Sequence, residues 1–209
     1  MKQTKTNFIA RNFFESLKFV KDSRKYIYFA IWVFILFILI GLLFPAPAFF
    51  DSYIIDILKE LINKTSGLSL FELIGFIFRN NFLVSVISII LGVLFCFVPI
   101  IIGISNGYLL GYVFRTILVK LGLVSGGLSL WKILPHGIFE LPAIMISLGI
   151  GIRLGVSFFS SLNDSPKKNS FKNFFESFIL AVKTLFFLIL PLLVIAAIIE
   201  GSLIMLLGN

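Results

Sequence analysis

Residues 131–155 read WKILPHGIFELPAIMISLGIGIRLG, and this stretch decides what kind of fold the chain can adopt. From Ile138 onward it is apolar with few interruptions and does not alternate. Extended to Phe158 it reaches the roughly 20 residues a bilayer crossing needs. Lipid offers no hydrogen bonds to a backbone, so a continuous apolar run of this length is a helix. Two ionisable residues stand at its entrance one helical turn apart: His136, the single histidine of the chain, and Glu140. Charge at the mouth of a membrane helix is costly and marks a candidate functional site.

The remainder of the chain agrees with that beginning. Of its 209 residues 59% are hydrophobic and 13% charged, and the mean hydropathy is +1.08. Soluble domains have an apolar share of roughly 45–50%, so the chain reads as an integral membrane protein. The fold class is all-α, a polytopic helical bundle of about five transmembrane helices with interfacial amphipathic helices beside them. Outward from the span at 136–158, the others fall at 26–44, 82–102, 104–120 and 184–207. The first run ends in Phe44-Pro45-Ala46-Pro47 with no small-residue cleavage pattern, and is expected to stay as a span.

Residues 1–25 carry seven Lys or Arg and set Ile9, Phe13, Leu17 and Val20 on one face, which predicts an interfacial helix on the cytoplasmic surface. The positive-inside rule then places the N-terminus in the cytoplasm and, after five crossings, the C-terminus outside the cell membrane. Residues 45–80 form an external amphipathic segment. There Asp51-Ser52 can cap one helix, Gly67 can end it, and Ser69-Leu70-Phe71-Glu72 has the spacing of a capping box that opens another. Residues 161–183 form a second cytoplasmic interfacial helix, with Phe171, Phe174, Phe175, Phe178 and Val182 on its apolar face. The pentapeptide Asn12-Phe13-Phe14-Glu15-Ser16 recurs at 173–177, an echo too short to establish a duplication. The net charge of +8 is concentrated beside apolar runs, as anchors to anionic head groups require. The expected partner is therefore the bilayer, and not nucleic acid. Cys96, the lone cysteine, reads as packing.

Small residues mark where helices approach. Gly103, Gly107 and Gly111 make a bare stripe on the third span, with Asn106 beside it, and Ser147, Gly151 and Gly155 repeat the spacing on the fourth. These two helices are expected to touch, and exposed small-residue faces would support a homodimer. Helix rise puts Arg115, Glu140 and Glu200 within roughly 6 Å of one depth in the outer half of the membrane. Arg115 is expected to bridge the two carboxylates, with His136 at the rim. His136 and Glu140 share a helix face and could hold a metal, but they are two ligands where three or four are needed, and no HExxH is present. No cofactor or metal is therefore expected. Arg153, toward the inner end of its span, is placed to snorkel to head groups.

Taken in order, Asn80-Asn81, GISNGYLLG from Gly103 to Gly111, LPHGIFELPAI from Leu134 to Ile144, the GIGIRLG run ending at Gly155, and Glu200 resemble the stage II sporulation protein M family. The resemblance covers roughly residues 70 to 205 and rests chiefly on the His-Gly-x-x-Glu-Leu block. It implies a membrane component without established enzymatic activity, whose relatives in spore formers look like anchors or scaffolds for cell-wall-remodelling partners. The expectation is a non-enzymatic membrane scaffold or assembly component with membrane or cell-envelope protein partners. A transporter or channel for a small solute or ion, using the polar cluster, is one alternative. A metal-dependent intramembrane hydrolase centred on His136 and Glu140 is the other.

Overall fold

The computed structural model describes residues 7–163 and 169–207, with the backbone alone at 48, 49, 62, 123–136, 163 and 207. Its helices are α1 (Phe8–Asp22), α2 (Arg24–Leu43), α3 (Ala48–Thr65), α4 (Leu70–Leu94), α5 (Val98–Asn163), α6 (Asn169–Thr184) and α7 (Leu190–Leu207), with a π turn, Leu185–Ile189, joining the last two. Inside α5, Gly122 has φ 77° and ψ 168°, a conformation open to a residue without Cβ. The helix is thereby divided into two arms. Five stretches are long and apolar enough to cross a membrane: Arg24–Leu43, Leu70–Leu94, the arms Val98–Gly122 and Gly137–Leu162, and Asn169–Leu206. The fold is all-α and multi-pass, and no strand occurs among the described residues.

Two boundaries differ from the sequence reading, each for a local reason. The second span, placed at 82–102 from hydropathy, is the helix Leu70–Leu94, and the chain turns at Phe95–Phe97. That turn is apolar and gives no compositional signal. Its cue is Pro99, which suits the first turn of the following helix, where no backbone donor is needed. The segment 161–183, read as separate from the last span, leads into it without a break through the π turn, where the Leu190 N–H bonds the Leu185 carbonyl. Pro191 follows immediately. Its ring cannot sit over a regular preceding turn, and a widened one removes the clash.

α1 buries Asn12, Ser16 and Phe19 against the bundle, while Ile9 and Leu17 on its apolar face are exposed. Small polar side chains lie inside because their hydrogen bonds are made locally. Asn12 Nδ2 donates to the Phe8 carbonyl at 2.9 Å, and Ser16 Oγ to the Asn12 carbonyl at 2.8 Å. The outward apolar face is what an interfacial helix offers to lipid. The echo at 173–177 has another environment: Asn173 is exposed where Asn12 is buried. α1 is tied to α6 by Lys183, whose Nζ donates to Glu15 at 2.6 Å. This ion pair holds the Glu15 carboxyl below the usual glutamate range.

The glycine stripes are contact surfaces, but they do not face each other. Gly107 and Gly111 lie against the backbone of α2: a methyl group on Gly107 would come within 2.6 Å of the Phe34 carbonyl oxygen, and one on Gly111 would overlap that of Ile38. Gly41 on α2 meets Tyr108 and Tyr112 in return. Gly151 and Gly155 pack on α4, where a methyl on Gly92 would lie 2.7 Å from the Gly151 backbone. The two arms of α5 meet at Gly103 and Leu148. α2 thus packs on both arms, at Gly107 and Gly111 of the first and through Ile27 at Gly149 of the second, while α4 packs on the second. Leu148, Ile150, Leu154, Ile189 and Leu193 fill the centre.

Candidate functional site

The carboxylates forecast at one depth do come together. Glu140, one turn into the second arm of α5, and Glu200, just past the middle of α7, lie close enough for their carboxyls to interact. The Asn81 side chain, from α4, lies beside Glu140, and Asn80 Nδ2 reaches Asn81 Oδ1 at 3.4 Å. Asn81 is buried, and both glutamates are half-buried. Three helices thus deliver one polar group each to a single locus. Its placement is fixed by close packing nearby, since Gly201, next to Glu200, admits Ile74 of α4. Four residues beyond Asn81 on the same face of α4 lies Ser85. It is fully buried, and its hydroxyl has no partner among the described residues.

Arg115 does not bridge this pair. Its Nη1 donates to the carbonyl oxygens of Leu42 and Leu43, each at 3.2 Å. These belong to the last turn of α2, where carbonyls lack helical partners and a cation is favoured. The Arg115 side chain turns toward α2. Next to it the Tyr112 hydroxyl donates to the Asp51 carboxylate at 2.5 Å, tying the first turn of α3 to the third span. Between α3 and that span is a cleft of about 600 Å³. Neither Tyr112 nor Asp51 was singled out as a site residue from sequence. The available signal was a tyrosine three residues before Arg115, hence on the same side of the helix.

Arg153 also has a partner of its own. Its Nη1 donates to Ser23 Oγ at 2.7 Å and to the Phe19 carbonyl at 3.4 Å, and its guanidinium carbon lies 4.4 Å from the centre of the Phe19 ring. It closes the joint between α1 and α2. Asn106 is exposed on the first arm of α5 and donates to the Ile102 carbonyl of its own helix at 2.8 Å. The His136 side chain lies outside the described residues. Among the described residues no three His, Cys, Asp or Glu side chains converge in a group that could hold a metal ion.

Five apolar crossings around a polar locus define a multi-pass helical membrane protein. The family model for Stage II sporulation protein M matches residues 26–203. The chain belongs to that family. An uncharacterized protein of Methanocaldococcus jannaschii is 28% identical over 198 residues, which is 90% of this chain and 85% of that protein. No solved structure matches.

Proposed function

We propose that this chain is a non-enzymatic membrane scaffold, assembling with a second copy of itself or with a membrane or cell-envelope protein through the exposed face of its third span. Asn106 carries the proposal. It lies eight residues into the arm Val98–Gly122, or about 12 Å along the helix axis, within a hydrocarbon core about 30 Å thick. Asn106 and its neighbour Ser105 are both exposed. Lipid cannot satisfy the amide oxygen of an asparagine, whereas a facing helix can. Asparagine is both donor and acceptor, so a two-fold axis beside Asn106 would pair it with its own copy. The glycine stripes are already used within the chain, so the polar face takes over the role expected of them. The basic N-terminal segment supports a cytoplasmic N-terminus and, with five crossings, an external C-terminus.

The test is disulfide crosslinking in native membranes of a Ser105→Cys variant in a Cys96→Ala background. A crosslinked dimer that disappears when Asn106→Leu is added supports self-assembly. A photo-crosslinker at position 106 that captures a membrane protein supports the partner form. If neither trap yields a product in membranes containing folded protein, the scaffold reading is lost.

Movement of a small cation or proton is a second reading, favoured by the Glu140–Glu200–Asn81 locus. It requires that a reconstituted Glu140→Gln variant lose a flux that the parent shows above empty vesicles.

A further inference from the structure

We propose that the cleft between α3 and the third span binds a phosphate group, carried by an anionic lipid or by a free phosphate ester. Its volume, about 600 Å³, is within the usual range for small-molecule sites. Lys59, Arg115 and Lys120 line it, and the one carboxylate among its lining residues is Asp51. Asp51 already accepts the Tyr112 hydroxyl, which makes it a hinge for α3 as well as a local counter-charge. Arg115 spends Nη1 on the two α2 carbonyls. Its Nε and Nη2 donors have no partner among the described residues, and they form the edge of the planar fork that matches phosphate oxygens. Lys120 has no ion pair among the described residues, and Lys59 has only the exposed Asp56, at 3.7 Å.

The remaining wall determines the kind of molecule that suits the cleft. Ile55 and Leu58 on α3 face Val119 on the third span across the same opening. A cationic edge continuous with apolar walls, at the end of a membrane helix, fits a head group above an acyl chain. The phosphates of lipid head groups lie at that level of a bilayer, just beyond the hydrocarbon core. Tyr112 and Thr116, whose hydroxyls bond Asp51 and the Tyr112 carbonyl, complete the third-span side of the lining. The site is separate from the Glu140–Glu200 locus and does not depend on the scaffold proposal.

The experiment is native mass spectrometry of the full chain in mild detergent with three probes: dioleoyl phosphatidic acid, dioleoylglycerol and inorganic phosphate. The parent should retain phosphatidic acid roughly ten-fold better than dioleoylglycerol, the size expected of one hydrogen bond to a charged group. The double variant Lys59→Gln/Lys120→Gln should lose that preference. Lys18→Gln/Lys21→Gln, which removes the same charge from α1, should keep it. Displacement of phosphatidic acid by millimolar inorganic phosphate, or retention of phosphate alone, assigns the site to a free phosphate ester. Retention of the lipid against phosphate assigns it to the head group. Equal retention of the two lipids without phosphate binding, or an unchanged preference in the Lys59/Lys120 variant with an unaltered melting profile, overturns the proposal.

Discussion

Arg153, on the fourth crossing, donates a 2.7 Å hydrogen bond to Ser23 Oγ at the joint between α1 and α2. The Ser23 hydroxyl in turn donates to the Phe19 carbonyl at 2.7 Å, and the Phe19 ring lies under the guanidinium. One side chain thus completes the end of α1 and fixes where the first crossing begins. Hydrogen bonds to charged groups contribute about 1.5–3 kcal/mol, so Arg153→Met should cost about that much while keeping the apolar stem. Lysine, with a charge but no planar face, should recover part of it. Denaturant unfolding in detergent measures the loss, and hydrogen exchange should localise it to α1. A loss spread evenly over all helices would argue against a role at the joint.

Glycine substitutions should separate contact from conformation. A methyl on Gly151 would overlap the Ser88 carbonyl and come within 2.9 Å of Pro99, whereas one on Gly75 would meet nothing within 4 Å. Gly151→Ala should therefore destabilise by about 1–3 kcal/mol, the usual cost of overpacking. Gly75→Ala should be neutral or slightly stabilising, because alanine is the better helix former. Thermal midpoints of the two variants in one detergent decide the matter.

The α1–α6 tie should weaken in acid. Its hydrogen bond with Lys183, followed by the charges of Lys183 and Arg11, holds the Glu15 carboxyl below the usual glutamate range. A group depressed in the folded state stabilises the fold above its unfolded pKa, and that contribution is lost as pH falls through the folded value. The melting temperature of the parent should thus exceed that of Glu15→Gln by a small margin at neutral pH. The margin should close as pH drops below the ordinary carboxylate range, about 4.3. Glu60, depressed by Lys64 one turn away on α3, ties no two helices together. Its glutamine variant should show no change in α1 exchange.

The crossings and their close contacts are legible in the sequence because both depend on local pattern. Apolar length gives a span, and small residues four apart give a face that another backbone can approach. The start of α4 was equally clear: Ser69 N–H and Oγ both donate to Glu72, at 2.9 and 2.6 Å, and Gly67 has φ 80° just beyond α3. What periodicity does not encode is which helix fills the groove. Gly107 and Gly111 announce a neighbour, and the neighbour is α2; Arg115 is expected from helix rise to meet Glu140 and Glu200, yet turns to carbonyls that every helix leaves at its C-terminus. Charges on a helix draw attention to other charges. Backbone acceptors, which leave no mark in composition, were the partners missed for both Arg115 and, in part, Arg153.

The polar locus can be divided by substitution. Glu140→Gln keeps a polar side chain of the same size beside Glu200 and Asn81, so it should change stability little. Glu140→Leu should cost more, about 1–3 kcal/mol, because Glu200 and the buried Asn81 then lose a polar neighbour inside the bundle. If the two glutamates act as one unit, Glu140→Leu/Glu200→Leu should cost less than the two single changes added together. Ser85, whose hydroxyl is buried without a partner, offers the sharpest contrast. Removing an orphaned hydroxyl removes its desolvation cost, so Ser85→Ala should raise the thermal midpoint or leave it unchanged. A clear loss on Ser85→Ala would mean that the hydroxyl has a partner, such as a buried water or an ion below Asn81, and that the locus extends further into the membrane than Glu140 and Glu200. The same melting curves, repeated with added sodium or potassium, would separate those two possibilities, because only an ion site gains stability with salt identity.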